Sequence, residues 1–515
     1  MSTDQPPLPD DPVLLQHLLL EARAEITRLQ MLIAVLLRNR FGRRSERLSE
    51  EALQQGVEDI EQSLGEQEAK IEAAQPAAEL PATPPQRNRG SLPAHLPRVE
   101  VVVDITDKTC PCCGAPLHAI AEDRSEMLDY VPAQLRAQVI RRPRYGCRVC
   151  EGAVVQAPAP ERPIDGGLAT EALLAHVLVN KYADHLPLYR QSQIFARQGV
   201  DLDRSTLCNW VGRSCWWLEP LHELLLSTVL SSPKVVADDT TLPVLDPGRG
   251  RTKTGRLWCY AVDNRPWSGP GHPVAVYADS EDRKGEHPAS HLKGFRGLLQ
   301  VDGYAGFAGL AKDPANEAPT LGFCWAHARR KFYDVHVATN SPLAHEALQR
   351  IGALYAIEAE IRGQTAEQRQ QLRQQRSRPL VEVMHVWLTE LLGQLPGRSG
   401  LAQAIRYALN HWDGLSRFLD DGRFELDTNI VERAMRPVAL GRKNALFAGA
   451  DSGGKHWAIV ATLIQTAKLN DVEPLAWLTD VLKRIVSGKT KRNQLDTLLP
   501  WNWRPSDQVE PVRSG

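Results

Sequence analysis

Five apolar runs between Lys234 and His327 restrict the architecture of this chain more than any other feature: KVVADD, RLWCYAVDN, HPVAVYADS, GLLQVDGYAGF and TLGFCWAH. They are rich in Val, Leu, Trp and Tyr and are separated by turn residues, the pattern of strands rather than of long helices. SHLKGF, between the third and fourth runs, reads as a short helical turn. Three consecutive strands, a helix and two further strands predict a mixed α/β sheet. The first run ends in Asp238 and Asp239, and the fourth reaches Asp302.

That element order matches a ribonuclease H-like α/β domain. In such a domain carboxylates at the ends of the first and fourth strands lie side by side, and one from a later helix completes a two-metal site. The stretch from Asp427 to Gly454, DTNIVERAMRPVALGRKNALFAGADSGG, offers Glu432 for that third place. Asn429 followed by Glu432 reads as a helix start with a capping-box glutamate. Pro437 predicts that this helix is short. Beyond it the residues read as a basic, glycine-rich loop with Arg442, Lys443, Gly449, Gly453 and Gly454, before a packed helix HWAIVATLIQTAK. Arg433, Arg436, Arg442, Lys443 and Lys455 face one acid, Asp451, in a chain of 61 Lys/Arg and 62 Asp/Glu. A carboxylate in a cationic neighbourhood suits a metal-dependent site that meets a phosphate backbone. The plainer alternative is that Glu432 only caps its helix and pairs with Arg436. Residues 303–431 separate Asp302 from Glu432, too long for one connection in a compact domain. The polar helical text of about 333–426, including RGQTAEQRQQLRQQRSRP, is therefore read as a helical insertion.

Phosphodiester hydrolysis and transesterification need an anionic attacking oxygen and a stabilised leaving oxygen. Two Mg²⁺ (or Mn²⁺) ions roughly 3.5–4 Å apart do both, held by hard carboxylate oxygens. The expected set is Asp238, Asp302 and Glu432. Asp239 adjoins Asp238, and side chains alternate along a strand, so only one of the two points into the site.

Upstream, Leu15, Ala22, Leu29 and Leu36, with Leu19, Ile26 and Ile33, form a short heptad pattern, read either as a coiled coil or as an amphipathic helix packed on its own chain. RNRFGRRSER follows, with Arg43 and Arg44 in a basic arm suited to phosphate contacts, or a solvated helix end. Residues 49–97 are acidic and then rich in Ala, Pro and Gln, a flexible linker. Five of the nine cysteines cluster in CPCC and CRVC. Cys110/Cys113 and Cys147/Cys150 make two CxxC knuckles suited to structural Zn²⁺ in a ribbon-like module, with Cys112 a rival ligand. A redox pair is the alternative. Residues 167–214 have helix-turn-helix spacing, with Ser205 as the N-cap of a short second helix carrying Arg204, Asn209 and Arg213. The tail holds EPLAWLTDVLKRI and LLPWNWRP, whose Trp501 and Trp503 are expected to pack on the body. The N-terminus lacks a basic region followed by an apolar core, and MLIAVLL is too short to span a bilayer, so a cytoplasmic protein is expected.

The chain resembles the insertion sequence 66 family of transposases over nearly its full length. The resemblance is carried by FGRRSERL, LPAHLPR, the CPCCG and CRVC knuckles, LLAHVLVNKYADHLPLYRQ, DRSTLCNWVGR and LDPGRGRTKTGRLW. It continues through VDGYAGF, CWAHARRKF, ERAMRPVALGRKNALFAG and LLPWNW. At the first strand the family pattern resembles ADET; this chain has ADDT, with Thr241 where proline is usual. The resemblance implies a multidomain DDE-type transposase. Its catalytic aspartate falls on Asp238; water attacks at the terminal inverted repeats, and the freed 3′-hydroxyl attacks target DNA. Arg433, Arg436, Arg442 and Lys443 would hold the backbone, and the zinc module and helices 167–214 would grip the ends. A homodimer or larger synaptic oligomer, accessory proteins of the same element and a nucleoid location are also implied. The expected divisions are 1–48, 49–97, 98–160, 161–230, 231–470 and 471–515. A DNA-binding protein descended from a transposase, and a nuclease that cuts without joining, are the alternatives.

Overall fold

A computed structural model describes residues 135–146, 154–156, 159–164, 167–246, 251–310, 318–445, 448 and 451–505. The chain divides into two compact units, Met1–Pro132 and Ala133–Gly515, and all described residues belong to the second. The heptads, the arm with Arg43 and Arg44, the linker, and Cys110, Cys112, Cys113, Cys147 and Cys150 lie outside the described residues.

A small antiparallel pair, β1 (Arg144–Gly146) and β2 (Val154–Gln156), comes first. Three helices follow: α1 (Glu171–Tyr182), α2 (Leu188–Arg197) and α3 (Arg204–Leu230). Thr170 begins α1 by accepting the Leu173 N–H. The turn before α3 passes through Gly199 at φ +79°. The second helix is not short, and its N-cap is Asp203 rather than Ser205. Leu207, Trp210, Val211, Ser214, Leu218, Leu221, Leu225 and Val229 keep one buried stripe along 27 residues, which carries α3 through Pro220.

The main sheet contains β3 (Lys234–Asp246), β4 (Arg251–Val262), β5 (Val274–Ser280), β6 (Leu298–Val301) and β7 (Thr320–Phe323), in the order β5-β4-β3-β6-β7. β3 pairs antiparallel with β4 and parallel with β6; β6 pairs parallel with β7. Short helices α4 (Glu286–His291) and α5 (Ala305–Ala308) flank β6. Leu257, Trp258, Cys259, Tyr260 and Ala261 on β4 are all buried, so both faces of the sheet are covered.

Helices α6 (Trp325–Thr339), α7 (Pro342–Ile361), α8 (Ala366–Leu372), α9 (Arg378–Gln394), α10 (Gly400–Asn410) and α11 (Trp412–Ser416) lie between β7 and the Glu432 segment. The last residues of the fifth predicted strand, Trp325–His327, are helical instead. These helices share a core that includes Trp325, Phe332, Ile351, Leu354, Met384, Ile405 and Phe418. Inside the glutamine-rich stretch, which reads as polar, Arg369 and Arg373 are fully buried. Arg373 makes a bidentate pair with Glu358 at 2.6 and 2.7 Å, and Arg369 reaches Glu425 at 2.7 Å. Paired charges explain burial that apolar periodicity does not signal.

The chain ends in α12 (Asn429–Ala445), α13 (Asp451–Leu469) and α14 (Pro474–Val486). α12 does not stop at Pro437, because Val431, Ala434, Met435, Val438 and Gly441 bury one continuous face. Packing outweighs the bond that proline removes. The expected basic loop is thereby reduced: Arg442 and Lys443 are in the last turn of α12, and Gly453 and Gly454 in the first turn of α13. Between them Ala448 bonds to Leu245 and Pro243, continuing the free side of β3. α13 covers the outer edge of the sheet: Thr462 accepts the Tyr277 N–H at 2.8 Å and Thr466 the Ala275 N–H at 3.3 Å. Trp501 stacks on His272 at 5.0 Å, and the Trp503 indole donates to Asp480 at 2.8 Å.

Candidate active site

Parallel pairing of β3 and β6, in the register Lys234↔Leu298, carries both strands out of the core on the same side. β3 does not stop at the two aspartates, as the first run predicts, but continues to Asp246 because β4 pairs with it throughout. Asp238 stands within it opposite Cys259, just past the pairing with β6, and Asp302 follows the last residue of β6. The chain turns at once at Gly303, φ +93°, where a Cβ would also meet His411 at 3.0 Å. The turn is held by the Tyr304 N–H, which donates to Asp302 Oδ1 at 2.8 Å, and by Tyr407 Oη, which donates to the Asp302 carbonyl at 2.9 Å.

The two adjacent aspartates have separate environments. Asp239, with its side chain 1% exposed, accepts from Arg256 at 3.0 Å and from Arg283 at 2.8 Å. Burial still leaves its carboxyl above the usual range, against the pull of both guanidiniums. Asp238 receives the Asp239 N–H at 2.7 Å. Burial, and then the negative charge of Asp302, push the Asp238 pKa up to about 7. Two carboxylates repelling each other in a partly buried place are a site in which a divalent cation is favourable. Arg283 lies 3.6 Å from Asp302 Oδ2 and over the Tyr304 ring, bridging Asp239 to the edge of the pair.

Glu432 is in the first turn of α12 and exposed. It does not form the expected capping box with Asn429. The helix starts on Thr428, whose carbonyl accepts from the Glu432 N–H at 3.2 Å and whose hydroxyl lies 3.4 Å from Glu432 Oε1. Asn429 instead bonds back to Asp427. The Glu432 carboxylate groups with Cys324 and His327, all three ligand atoms lying within 4.8 Å of one another. Cys324 is the N-cap of α6 and His327 is one turn on. The Cys324 thiol, then the charges of Asp302 and Glu432, raise the His327 pKa to about 9 against the effect of burial. His327 also acts on Asp238, favouring its charged form. His327 therefore feels the charges of both the aspartate pair and Glu432, an involvement that expectations built on carboxylates alone miss. CWAH contains the signal, a Cys and a His three apart at a helix start, but the histidine becomes informative only once the strands are assembled.

The basic residues divide as well. Arg433 and Arg436 are exposed on α12. Arg442 donates to the carbonyl and hydroxyl of Thr241 on β3, so it is an internal tie. Lys443 is exposed in the same turn. On α3, Asn209 and Arg213 share an exposed face with Trp216, 65% exposed, while Arg204, also exposed, opens the helix on a different side.

Comparison with known proteins gives this arrangement a context. Residues 166–456 match the family model described as Transposase IS66 family, and the chain belongs to that family. Residues 462–501 match the IS66 C-terminal element, 107–151 the zinc-finger binding domain of transposase IS66, and 28–101 a model described as Transposase C of IS166 homeodomain. The zinc-finger match contains all four knuckle cysteines and supports a structural zinc. The chain is 48% identical to the uncharacterized protein y4jD of Sinorhizobium fredii, over 99% of both chains. It is 44% identical to the uncharacterized protein y4qI of the same organism, over 94% of this chain and 90% of that one. Among the described residues no helix is long and apolar enough to cross a membrane.

Proposed function

We propose that this chain is a DDE-type DNA transposase with a ribonuclease H-like catalytic domain, in which Asp238, Asp302 and Glu432 hold two Mg²⁺ or Mn²⁺ ions. The observation that carries this reading is the pairing of Asp238, on β3 two residues past its parallel register with β6, with Asp302, at the end of β6, with Asp238 pushed to about 7 by burial and by Asp302. The donors fit hard cations: both are carboxylates, and Asp239 is withdrawn by Arg256 and Arg283. When bound, such ions make the attacking oxygen anionic and stabilise the leaving oxygen.

The chain's own residues then have distinct parts. Asp238 on β3 and Asp302 after β6 keep negative charge at the site, while the Asp239 N–H, donating to Asp238 at 2.7 Å, favours its ionised form. Glu432 brings a carboxylate from the start of α12. Arg283, on the edge of the pair, and exposed Arg433 and Arg436 suit contacts with phosphate oxygens. Exposed Arg204, Asn209 and Arg213 on α3, with the zinc module and the arm containing Arg43 and Arg44, suit recognition of the terminal repeats. Joining conserves the phosphodiester bond, so no nucleotide-binding loop is required. Synapsis of two ends calls for a dimer or larger oligomer on DNA.

The test is strand transfer on the element's own ends. Asp238→Asn and Glu432→Gln should each lower cleavage and joining by orders of magnitude while end binding is kept. Normal joining by both variants would overturn the reading; cutting without joining in the wild-type protein would make it a nuclease.

A further inference from the structure

Cys324 and His327, which group with Glu432, have no part in a scheme built on hard carboxylate ligands alone. We propose that these three side chains form a second metal position, beside the Asp238–Asp302 pair, that takes a thiophilic divalent ion of the zinc class. The inference deepens the proposed function and rests on that reading for the place of Glu432 beside the reacting phosphodiester.

The geometry is that of a tripod on two helix starts. Cys324 caps α6 and His327 lies three residues on, so their side chains share one face of the first turn. Glu432 comes from the first turn of α12. The two starts are joined through the main chain, the Trp325 N–H donating to the Leu426 carbonyl at 2.8 Å. The ligand atoms all fall within 4.8 Å of one another. A tetrahedral shell with bonds of about 2.0–2.3 Å needs them roughly 3.3–3.7 Å apart, a closure within reach of side-chain rotation.

Two further observations point to an ion. His327 Nδ1 is buried without a hydrogen-bond partner among the described residues, an arrangement that costs free energy unless something binds there. Thr428, fully buried, has its hydroxyl 3.3 Å from Cys324 Sγ and 3.4 Å from Glu432 Oε1. One hydroxyl oriented towards two of the three ligands is the kind of outer contact that fixes ligand positions in metal sites. The other group with metal-binding side chains, Asp282, Glu286 and His287, lacks such a claim: Asp282 is engaged by His287 at 2.8 Å and by Lys284 at 2.9 Å.

A thiol and an imidazole select zinc, cobalt and related ions over magnesium. Three protein ligands leave a fourth position open. Glu432 is shared, so an ion held here draws that carboxylate towards Cys324 and away from the aspartates. Zinc at this place therefore opposes, and does not replace, a magnesium ion that requires Glu432.

The test uses the full-length chain, freed of bound zinc and titrated with Co²⁺, with the thiolate-to-cobalt charge-transfer and ligand-field bands as readout. A Cys208→Ser background removes the exposed thiol at Cys208. Cys324→Ser should bind one equivalent fewer than its parent, and His327→Gln should lose the same equivalent with Cys324 still present. Glu432→Gln should weaken that equivalent at least tenfold. Circular dichroism establishes that each variant is folded; if Cys324→Ser is not, His327→Gln carries the comparison. Equal stoichiometry in the parent and in folded His327→Gln overturns the proposal. Asp238→Asn separates it from the catalytic reading. If that variant loses strand transfer and the parent shows no extra cobalt, only this inference falls. If it keeps strand transfer and the extra cobalt, only the role of Asp238 falls.

Discussion

At the residue scale, Asp238 and Asp239 show how one step along a strand changes the job of a carboxylate. Asp239 is bound by two arginines and nearly inaccessible, so Asp239→Asn leaves Arg256 and Arg283 without their shared counter-charge. Breaking a fully buried pair costs about 3–5 kcal/mol; both arginines keep some access to water, so ~2–3 kcal/mol is expected here, measured by urea unfolding. Asp238→Asn should instead hold or raise stability, since it removes a charge that burial and Asp302 oppose. The pH dependence has the same origin. The folded Asp238 pKa, about 7, is above its ordinary value of 3.8, so its contribution is full below 3.8 and is lost as pH rises through 7. Without added Mg²⁺ or Mn²⁺, stability should fall across that window. Urea midpoints read at several pH values should show the fall shallower in Asp238→Asn; an identical slope would mean that Asp238 titrates normally.

At the element scale, α12 sets local propensity against packing. Pro437 argues for a break and the buried face argues for continuation; the face wins. At Gly441, α12 passes close to Trp457 on α13. A Cβ there would lie 3.0 Å from Trp457 Cζ2 and 3.4 Å from His185 Nδ1. In an isolated helix Gly→Ala gains about 1 kcal/mol. Trp457 is 6% exposed and packs edge-on against Tyr182, so it cannot yield cheaply. Overpacking of ~1–3 kcal/mol should win, and Gly441→Ala should lower the thermal midpoint. A raised midpoint would mean that the α12–α13 contact is looser than these distances.

At the scale of the whole molecule, near neutrality in total charge hides a divided surface. Arg433 and Arg436 are exposed, whereas Arg442 is tied to Thr241. Neutralising Arg433 and Arg436 together should reduce the salt slope of end binding by roughly 1–2, at about 0.9 per phosphate contact on duplex DNA. Neutralising Arg442 should act on stability and leave the slope nearly unchanged. Binding isotherms at several salt concentrations distinguish the two; a slope that moves only with Arg442 would reverse the assignment.

The sequence by itself determined the five strands of the main sheet and the candidate aspartates on two of them, but not that β3 continues past Asp238 and Asp239 to Asp246. Strand runs, turn residues and carboxylates are local signals, legible within a few residues. Family motifs such as CWAHARRKF and ERAMRPVALGRK were legible for the same reason. The extent of α3 and α12 was not, because each continues past a proline on the strength of a buried face supplied by other elements. Nor was the burial of Arg369 and Arg373, which depends on Glu358 and Glu425 arriving from elsewhere in the chain. Only the tertiary structure decided that Asp239 belongs to Arg256 and Arg283, and that Glu432 stands with Cys324 and His327. Those pairings join residues far apart in sequence, and parallel strands and docked helix starts, not local pattern, bring them within reach.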